Sequence, residues 1–264
     1  VSGEAASPSI AGKPRLSIVV PYRDRAAHLA TLLPHLIGYF ARAPGHQDIP
    51  YSVIVVEQAP GLPFSRGITR NIGYLLSRER ADYVCFHDVD YLPLEADYSY
   101  PDQPTCALWY GAELRPIRPG RSKLAVRHEL QNYFGGVVLM RNEQFEAANG
   151  YSTRYWGWGL QDLDLARRLE ARGFRLARTQ GRFHPLDHDH EGFTDTGDLV
   201  PLSQRNRELY DGRWQLKRLP AEIDVEGLNT TAGEILERGP IRPELTGGRT
   251  HLERVLVRFA GPAA

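Results

Sequence analysis

The sequence predicts an α/β fold, a mostly parallel central sheet flanked by helices, with a less regular second half. Three observations carry this. Short apolar, β-branched runs at 16–22, 51–57 and 82–87 have the length and composition of buried strands. Helical patterns at 26–41 and 68–80 separate them, and such alternation is the signature of a parallel sheet covered on both faces. The residues best suited to chemistry, Arg23, Arg25, Arg66, Asp88 and Asp90, fall just past strand ends or in nearby loops, where open α/β sheets bind ligands.

Taken in order, the run Leu16-Ser-Ile-Val-Val-Pro-Tyr22 is the first strand, and Tyr22-Arg-Asp-Arg25 leads into a helix carrying Pro34, a kink position. Tyr51-Ser-Val-Ile-Val-Val-Glu57 is the second strand. Phe64-Ser-Arg-Gly67 opens the next helix, and the third strand ends in Asp88-Val-Asp90. The segment 115–123 is a basic, proline-bearing loop, read as a solvated connection, with an anionic acceptor or lipid head group as its functional alternative. A strand at 133–140 opens on the pair Gly135-Gly136. Asp162 and Asp164 begin a helical pattern closed by Gly173, and 174–179 is a further strand. Beyond Gln204 the chain is polar and unassigned until a last strand at 251–259.

Composition bounds the answer. With 42% hydrophobic and 24% charged residues among 264, the chain can bury a core. Lys+Arg and Asp+Glu are both 32, so there is no general attraction to nucleic acid or to an anionic membrane. Only Lys13, Lys123 and Lys217 are lysines, an arginine bias expected of a GC-rich, bacterial source. No run reaches the ~20 apolar residues of a membrane span. Residues 1–14 read as a flexible leader or as the remnant left when an anchor is removed. Cys85, in an apolar strand pattern, reads as a buried thiol; a disulfide to Cys106 is the alternative in an oxidising compartment.

The candidate chemistry is concentrated in a few motifs. In Trp156-Gly-Trp-Gly159 the glycines let the backbone bend and approach a ligand, and the indoles offer flat apolar walls suited to a sugar ring. The alternative is an aromatic core corner followed by an ordinary acidic helix cap. Asp88-Val-Asp90 offers carboxylates to a divalent cation, or is simply an aspartate-rich turn. In an extended segment His188 and His190 point the same way, so both imidazoles can reach one metal. One carboxylate and two histidines, with positions left for phosphate oxygens, suit Mn²⁺. Arg23, Arg25 and Arg66 supply forked donors matched to a diphosphate, unless they pair with nearby carboxylates.

Together these residues resemble the β-1,4-galactosyltransferase family, inverting glycosyltransferases of the GT-A fold. The motifs follow the family order: Pro21-Tyr-Arg-Asp-Arg25, Phe64-Ser-Arg66, Asp88-Val-Asp90, Tyr133-Phe-Gly-Gly136, Trp156-Gly-Trp-Gly159 with Gln161-Asp162, and His188-Asp-His190. Within the family the chain is most similar to the xylose-directed branch, through the stretch from His87 to Leu94, the His-x-His pair and Gly227-Leu-Asn-Thr230. The resemblance implies a single GT-A domain over 15–264, with a nucleotide-binding half at 15–92, a donor and acceptor half at 93–200 and an extension at 201–264. It implies that Pro21, Tyr22, Arg23, Arg25, Arg66 and Asp88 seat uridine diphosphate. Asp90, His188 and His190 then bind Mn²⁺, and Tyr133, Gly135, Gly136, Trp156, Trp158 and Gln161 border the sugars. Asp162 is the general base.

The implied reaction moves galactose from UDP-galactose to a hydroxyl of a glycan, glycolipid or glycoside, giving a β-1,4 linkage. Two departures matter. Gln161 stands where the family usually has Glu, which bears on donor recognition. The stretch His128-Glu-Leu-Gln-Asn-Tyr133 keeps only one of the tyrosines that surround a xylose acceptor. Other readings are transfer from UDP-GalNAc, UDP-GlcNAc or UDP-glucose, a metal-dependent hydrolase, and an inactive carbohydrate-binding homologue. A bacterial enzyme would be cytoplasmic or membrane-peripheral; a truncated anchored one would face the Golgi lumen.

Overall fold

Seven consecutive buried residues form the first strand, β1 (Leu16–Tyr22), which sits in the middle of the sheet. The computed structural model describes residues 12–108, 133–187, 200–215, 219–241 and 250–261. β1 lies parallel to β2 (Tyr51–Gln58) on one side and to β3 (Tyr83–His87) on the other. Strands buried on both faces read as continuous apolar runs, which is why these three are legible from composition.

Three strands escape the sequence reading: β4 (Tyr91–Glu95), β5 (Thr105–Leu108) and β8 (Glu234–Pro240). β4 contains Pro93 and lies at one edge, β5 has four residues, and β8 is a charged strand at the other edge. β6 (Val137–Arg141) starts later than expected, leaving Gly135 and Gly136 in the preceding loop. β7 spans Ala177–Pro185 rather than 174–179, and so takes His184 into the sheet. β9 (His251–Arg258) falls where the last strand is expected.

The nine strands form one sheet in the order β4-β7-β5-β6-β3-β1-β2-β9-β8. Its β3-β1-β2-β9 section is parallel, whereas β4, β6 and β8 each pair antiparallel with their neighbours, so the sheet is mixed. Cys85 on β3 and Cys106 on β5 are separated by β6, and both are free buried thiols; the disulfide alternative fails on topology.

α1 (Ala26–Arg42) continues across Pro34 and buries Leu32, Leu33, Leu36 and Phe40, a stripe at helical spacing. α2 (Arg66–Ser77) is capped by Ser65, whose hydroxyl accepts from the Ile68 N–H. α3 (Asn142–Ala147) and α4 (Gln161–Ala171) follow in the second half. The polar region beyond Gln204 supplies, among the described residues, most of α5 (Pro201–Gln215), α6 (Leu219–Val225) and β8. No helix among the described residues is long and apolar enough to cross a membrane. The loop 115–123 and residues 128–132 lie outside the described residues.

α2 is buried on almost every side, and Gly73 allows it to approach the sheet: a Cβ there would stand 2.3 Å from Val19 Cγ1 and 3.0 Å from Val56 Cγ2. Helix propensity favours alanine over glycine by about 1 kcal/mol, but overpacking a tight core costs about 1–3 kcal/mol. Gly73→Ala is therefore expected to lower unfolding free energy in urea by up to about 2 kcal/mol, against the propensity trend.

Candidate active site

Three segments converge beyond the carboxyl ends of β1 and β3: the start of α2, the turn after β3 and the start of α4. Arg70, on α2, is 1% exposed. Its Nη2 donates to Asp88 Oδ1 at 2.6 Å and its Nη1 to Asp162 Oδ1 at 2.5 Å. The guanidinium lies 4.9 Å from the centre of the Tyr151 ring. One cation thus joins the aspartate after β3 to the aspartate at the start of α4. Arg70 is absent from the sequence-derived set. The available signal is its i+4 spacing from Arg66, which puts both on one helix face.

The chain before α4 is bent by three left-handed residues, Gly157 (φ 70°), Gly159 (φ 107°) and Leu160 (φ 72°). Glycine adopts that region freely; leucine pays about 1–2 kcal/mol, so the turn is held by its surroundings. The Gly157 N–H donates to Phe64 O at 2.7 Å, and Asn206 Nδ2 donates to the carbonyls of Trp156 and Trp158 at 2.8 and 3.1 Å. The bend delivers Gln161 and Asp162 to the helix N-terminus, where unpaired N–H groups favour a carboxylate.

Asp162 is 5% exposed. Burial pushes its carboxyl above the usual range, with Arg70 pulling against it and Asp88 reinforcing it. Gly135 makes the fit: a Cβ there would stand 2.7 Å from Asp162 Cγ, Asp162 Oδ2 and Tyr133 Cζ. Burial, with Asp162 and Asp88 nearby, also raises the Tyr133 phenol, which stays protonated. Gly136, at φ 75°, presents its carbonyl to the Asp88 N–H at 2.7 Å and so fixes the Asp88-Val-Asp90 turn.

Gln161 is buried, and its amide, oriented to satisfy both neighbours, donates to Gly159 O at 2.9 Å and accepts from Arg66 Nη1 at 3.2 Å. Burial lowers the Arg66 guanidinium pKa, but Asp88 and Asp162 outweigh it, so the net shift is upward. Arg23 Nη1 donates to Leu62 O at 2.5 Å, and its guanidinium is 5.3 Å from the ring of Phe64, two residues before Arg66. Pro21 and Tyr22 end β1 opposite Val56 and Glu57, and Arg25 precedes α1. Asp90 is 7% exposed, and its carbonyl accepts from the Leu186 N–H at 2.7 Å. That contact brings the end of β7 to the aspartate turn. His188 and His190 lie outside the described residues. Among those described, no group of three metal-binding side chains occurs.

One assignment needs correction. Trp156 is 1% exposed and packs 5.7 Å from Phe259, so it is a core residue and offers no free face to a sugar. Trp158 is partly exposed and retains that option.

A second buried ion cluster holds the other side of α4. Arg168 donates to Asp164 and Glu226 at 2.7 Å each, and Arg213 to the same residues at 3.1 and 2.9 Å. Ser152 and Tyr155 complete it through Glu226 and Asp164. Residues two apart lie about 200° apart around a helix. Asp162 therefore faces the site while Asp164 faces this scaffold. His87, the last residue of β3, donates from Nδ1 to Asp88 O (2.9 Å) and accepts at Nε2 from the Tyr98 hydroxyl (3.0 Å); burial lowers its pKa to about 4, leaving it neutral.

Gly135→Ala is expected to displace the Asp162 carboxylate from its place beside Tyr133. The overpacking should cost about 1–3 kcal/mol, so the protein should remain folded by circular dichroism while turnover falls more than tenfold.

Two family profiles match: the N-terminal region of glycosyl transferase group 7 over residues 2–102, and the N-terminal domain of galactosyltransferase over 115–190. The chain is 32% identical over 233 residues to β-1,4-galactosyltransferase 7 of Homo sapiens, covering 86% of this chain and 63% of that protein. It is 38% identical over 168 residues to β-1,4-galactosyltransferase 4 of Homo sapiens, covering 62% and 45%. The chain thus spans about six-tenths of the length of the type 7 relative. The crystal structure of the catalytic domain of Drosophila β-1,4-galactosyltransferase 7 in complex with xylobiose superposes with a TM-score of 0.69 at 24% identity, covering 94% of each chain, which shows a common GT-A fold. By these matches and by its ordered motifs, the chain belongs to the β-1,4-galactosyltransferase family.

Proposed function

We propose that this chain is an inverting galactosyltransferase that moves galactose from UDP-galactose to a sugar hydroxyl in β-1,4 linkage, with Asp162 as general base. The observation that carries the reading is the placement of Asp162. It is buried at a helix N-terminus, held by Arg70 through one oxygen, with the other oxygen over Gly135 beside Tyr133. A solved Drosophila relative is described with manganese, UDP-Gal and xylobiose, which supports the donor and the metal. On this reading residues 15–264 act as one catalytic domain, in which 15–92 bind the nucleotide and 93–200 the sugars, with 201–264 as an extension.

The chain's own residues supply the steps. Arg23, Arg25 and Arg66 hold the diphosphate and stabilise charge on the departing UDP. Asp162 accepts the proton of the acceptor hydroxyl as its oxygen bonds to the anomeric carbon and the carbon–phosphate-oxygen bond breaks. Attack opposite UDP inverts the centre, and no covalent enzyme intermediate forms. Tyr133 and Gly136 border the galactose, with Trp158 between donor and acceptor.

Asp90 suits a divalent cation: it is a buried carboxylate at the strand-end turn, bonded through its carbonyl to the segment that leads directly to residue 188. Asp90, His188 and His190 would hold Mn²⁺, a mixed oxygen and nitrogen set that leaves positions for phosphate. Bound there, the metal supplies further charge stabilisation to the leaving diphosphate. The acceptor is a glycan, glycolipid or glycoside.

The test is UDP release from a panel of UDP-sugars with Mn²⁺, against β-xylosides, β-glucosides and β-N-acetylglucosaminides. The expected result is acceptor-stimulated release with UDP-galactose, abolished by EDTA and lowered at least about 100-fold in Asp162→Asn. Full activity in Asp162→Asn, or no UDP-sugar binding, sinks the proposal.

A further inference from the structure

The geometry points to Arg70 as a positioning residue that orients Asp162 for proton abstraction and ties it to Asp88 at the nucleotide end of the site. This rests on the reading of Asp162 as the base. The two terminal nitrogens of Arg70 are spent on Asp162 Oδ1 and Asp88 Oδ1, at 2.5 and 2.6 Å, and its face is covered by Tyr151. Holding Oδ1 leaves Oδ2, the oxygen over Gly135, to receive the proton. A forked, planar guanidinium can bridge two carboxylates from different elements; an ammonium makes a point contact.

The surroundings make this cation matter. The groups facing Asp162 are Arg66 and Arg70 from α2, Asp88 from the turn after β3, the Cys106 thiol from β5, Tyr133 before β6 and Tyr151 after α3. Two carboxylates therefore share a buried space with two arginines, and Gln161 already draws on Arg66. Without Arg70 the buried Asp162 carboxylate keeps the negative charge of Asp88 nearby and loses its bonded cation, which favours its protonated form. A protonated Asp162 cannot act as base. Arg70 thus sets the lowest pH at which the site works, and the same guanidinium makes contacts to Asp88 felt at Asp162.

The experiment measures the pH dependence of kcat/KM for UDP-galactose with Mn²⁺ and the β-glycoside that stimulates wild-type UDP release most. Wild type, Arg70→Met, Arg70→Lys and Arg70→Met with Asp88→Asn are compared, with folding followed by circular dichroism. Arg70→Met should move the acid limb up by roughly 1–3 pH units. Arg70→Lys should recover part of that shift, and Asp88→Asn should move the limb of Arg70→Met back down. A loss of activity equal at every pH, with the acid limb unmoved in both single variants, would overturn the inference. If Arg70→Met does not fold, Arg70→Lys decides: a raised limb supports the inference and an unmoved one refutes it. Wild type and Asp162→Asn separate the two claims. Wild-type transfer that survives Asp162→Asn defeats the general-base reading, whereas transfer dependent on Asp162 with an unmoved limb defeats only the role of Arg70.

Discussion

The structure turns on one buried guanidinium. Arg70 gathers a carboxylate from the end of β3 and another from the start of α4, elements far apart in sequence, and lies beneath the Tyr151 ring. A buried charge is tolerated only when paired and hydrogen-bonded, so Arg70 needs its carboxylates and Asp162 needs Arg70. The rest of the site is arranged to allow that meeting. Gly73 lets α2 settle on β1 and β2, and Gly67 leaves room for the carbonyl of Ser152, 2.7 Å from where its Cβ would be. Gly135 leaves room for the Asp162 carboxylate itself.

α4 works with two opposite faces. Asp162 turns to the site and Asp164 to the Arg168–Arg213–Glu226 cluster, which also grips the chain at Ser152. That cluster anchors the helix whose first turn carries the proposed base. The left-handed turn at 157–160 then has little freedom to relax, because the helix behind it and the Asn206 contacts ahead of it are both fixed. Preorganisation of this kind is what an oriented base requires.

Much of this was legible in the sequence. The parallel core and its helices follow from apolar runs and helical spacing, since β1, β2 and β3 are buried on both faces. β4, β5 and β8 are not legible: one carries a proline, one has four residues and one is a charged edge. Of the motif residues, Arg66, Asp88, Tyr133, Gly135, Gln161 and Asp162 meet in space. Trp156 does not join them. A tryptophan followed by glycine fits a ligand wall and a core corner equally, and its burial and packing on Phe259 decide. Arg70 is hidden for the opposite reason: an arginine in a helix normally reads as a solvated face, and only the fold reveals two carboxylates opposite it.

The most direct test of this account is a double-mutant cycle in urea unfolding, with Arg70→Met and Asp162→Asn made singly and together. If one guanidinium organises the site, the two residues should be coupled by about 2 kcal/mol or more, Arg70→Met costing far less once Asp162 is neutral. Additivity within about 0.5 kcal/mol would show that the two groups do not depend on each other, and would contradict the central claim.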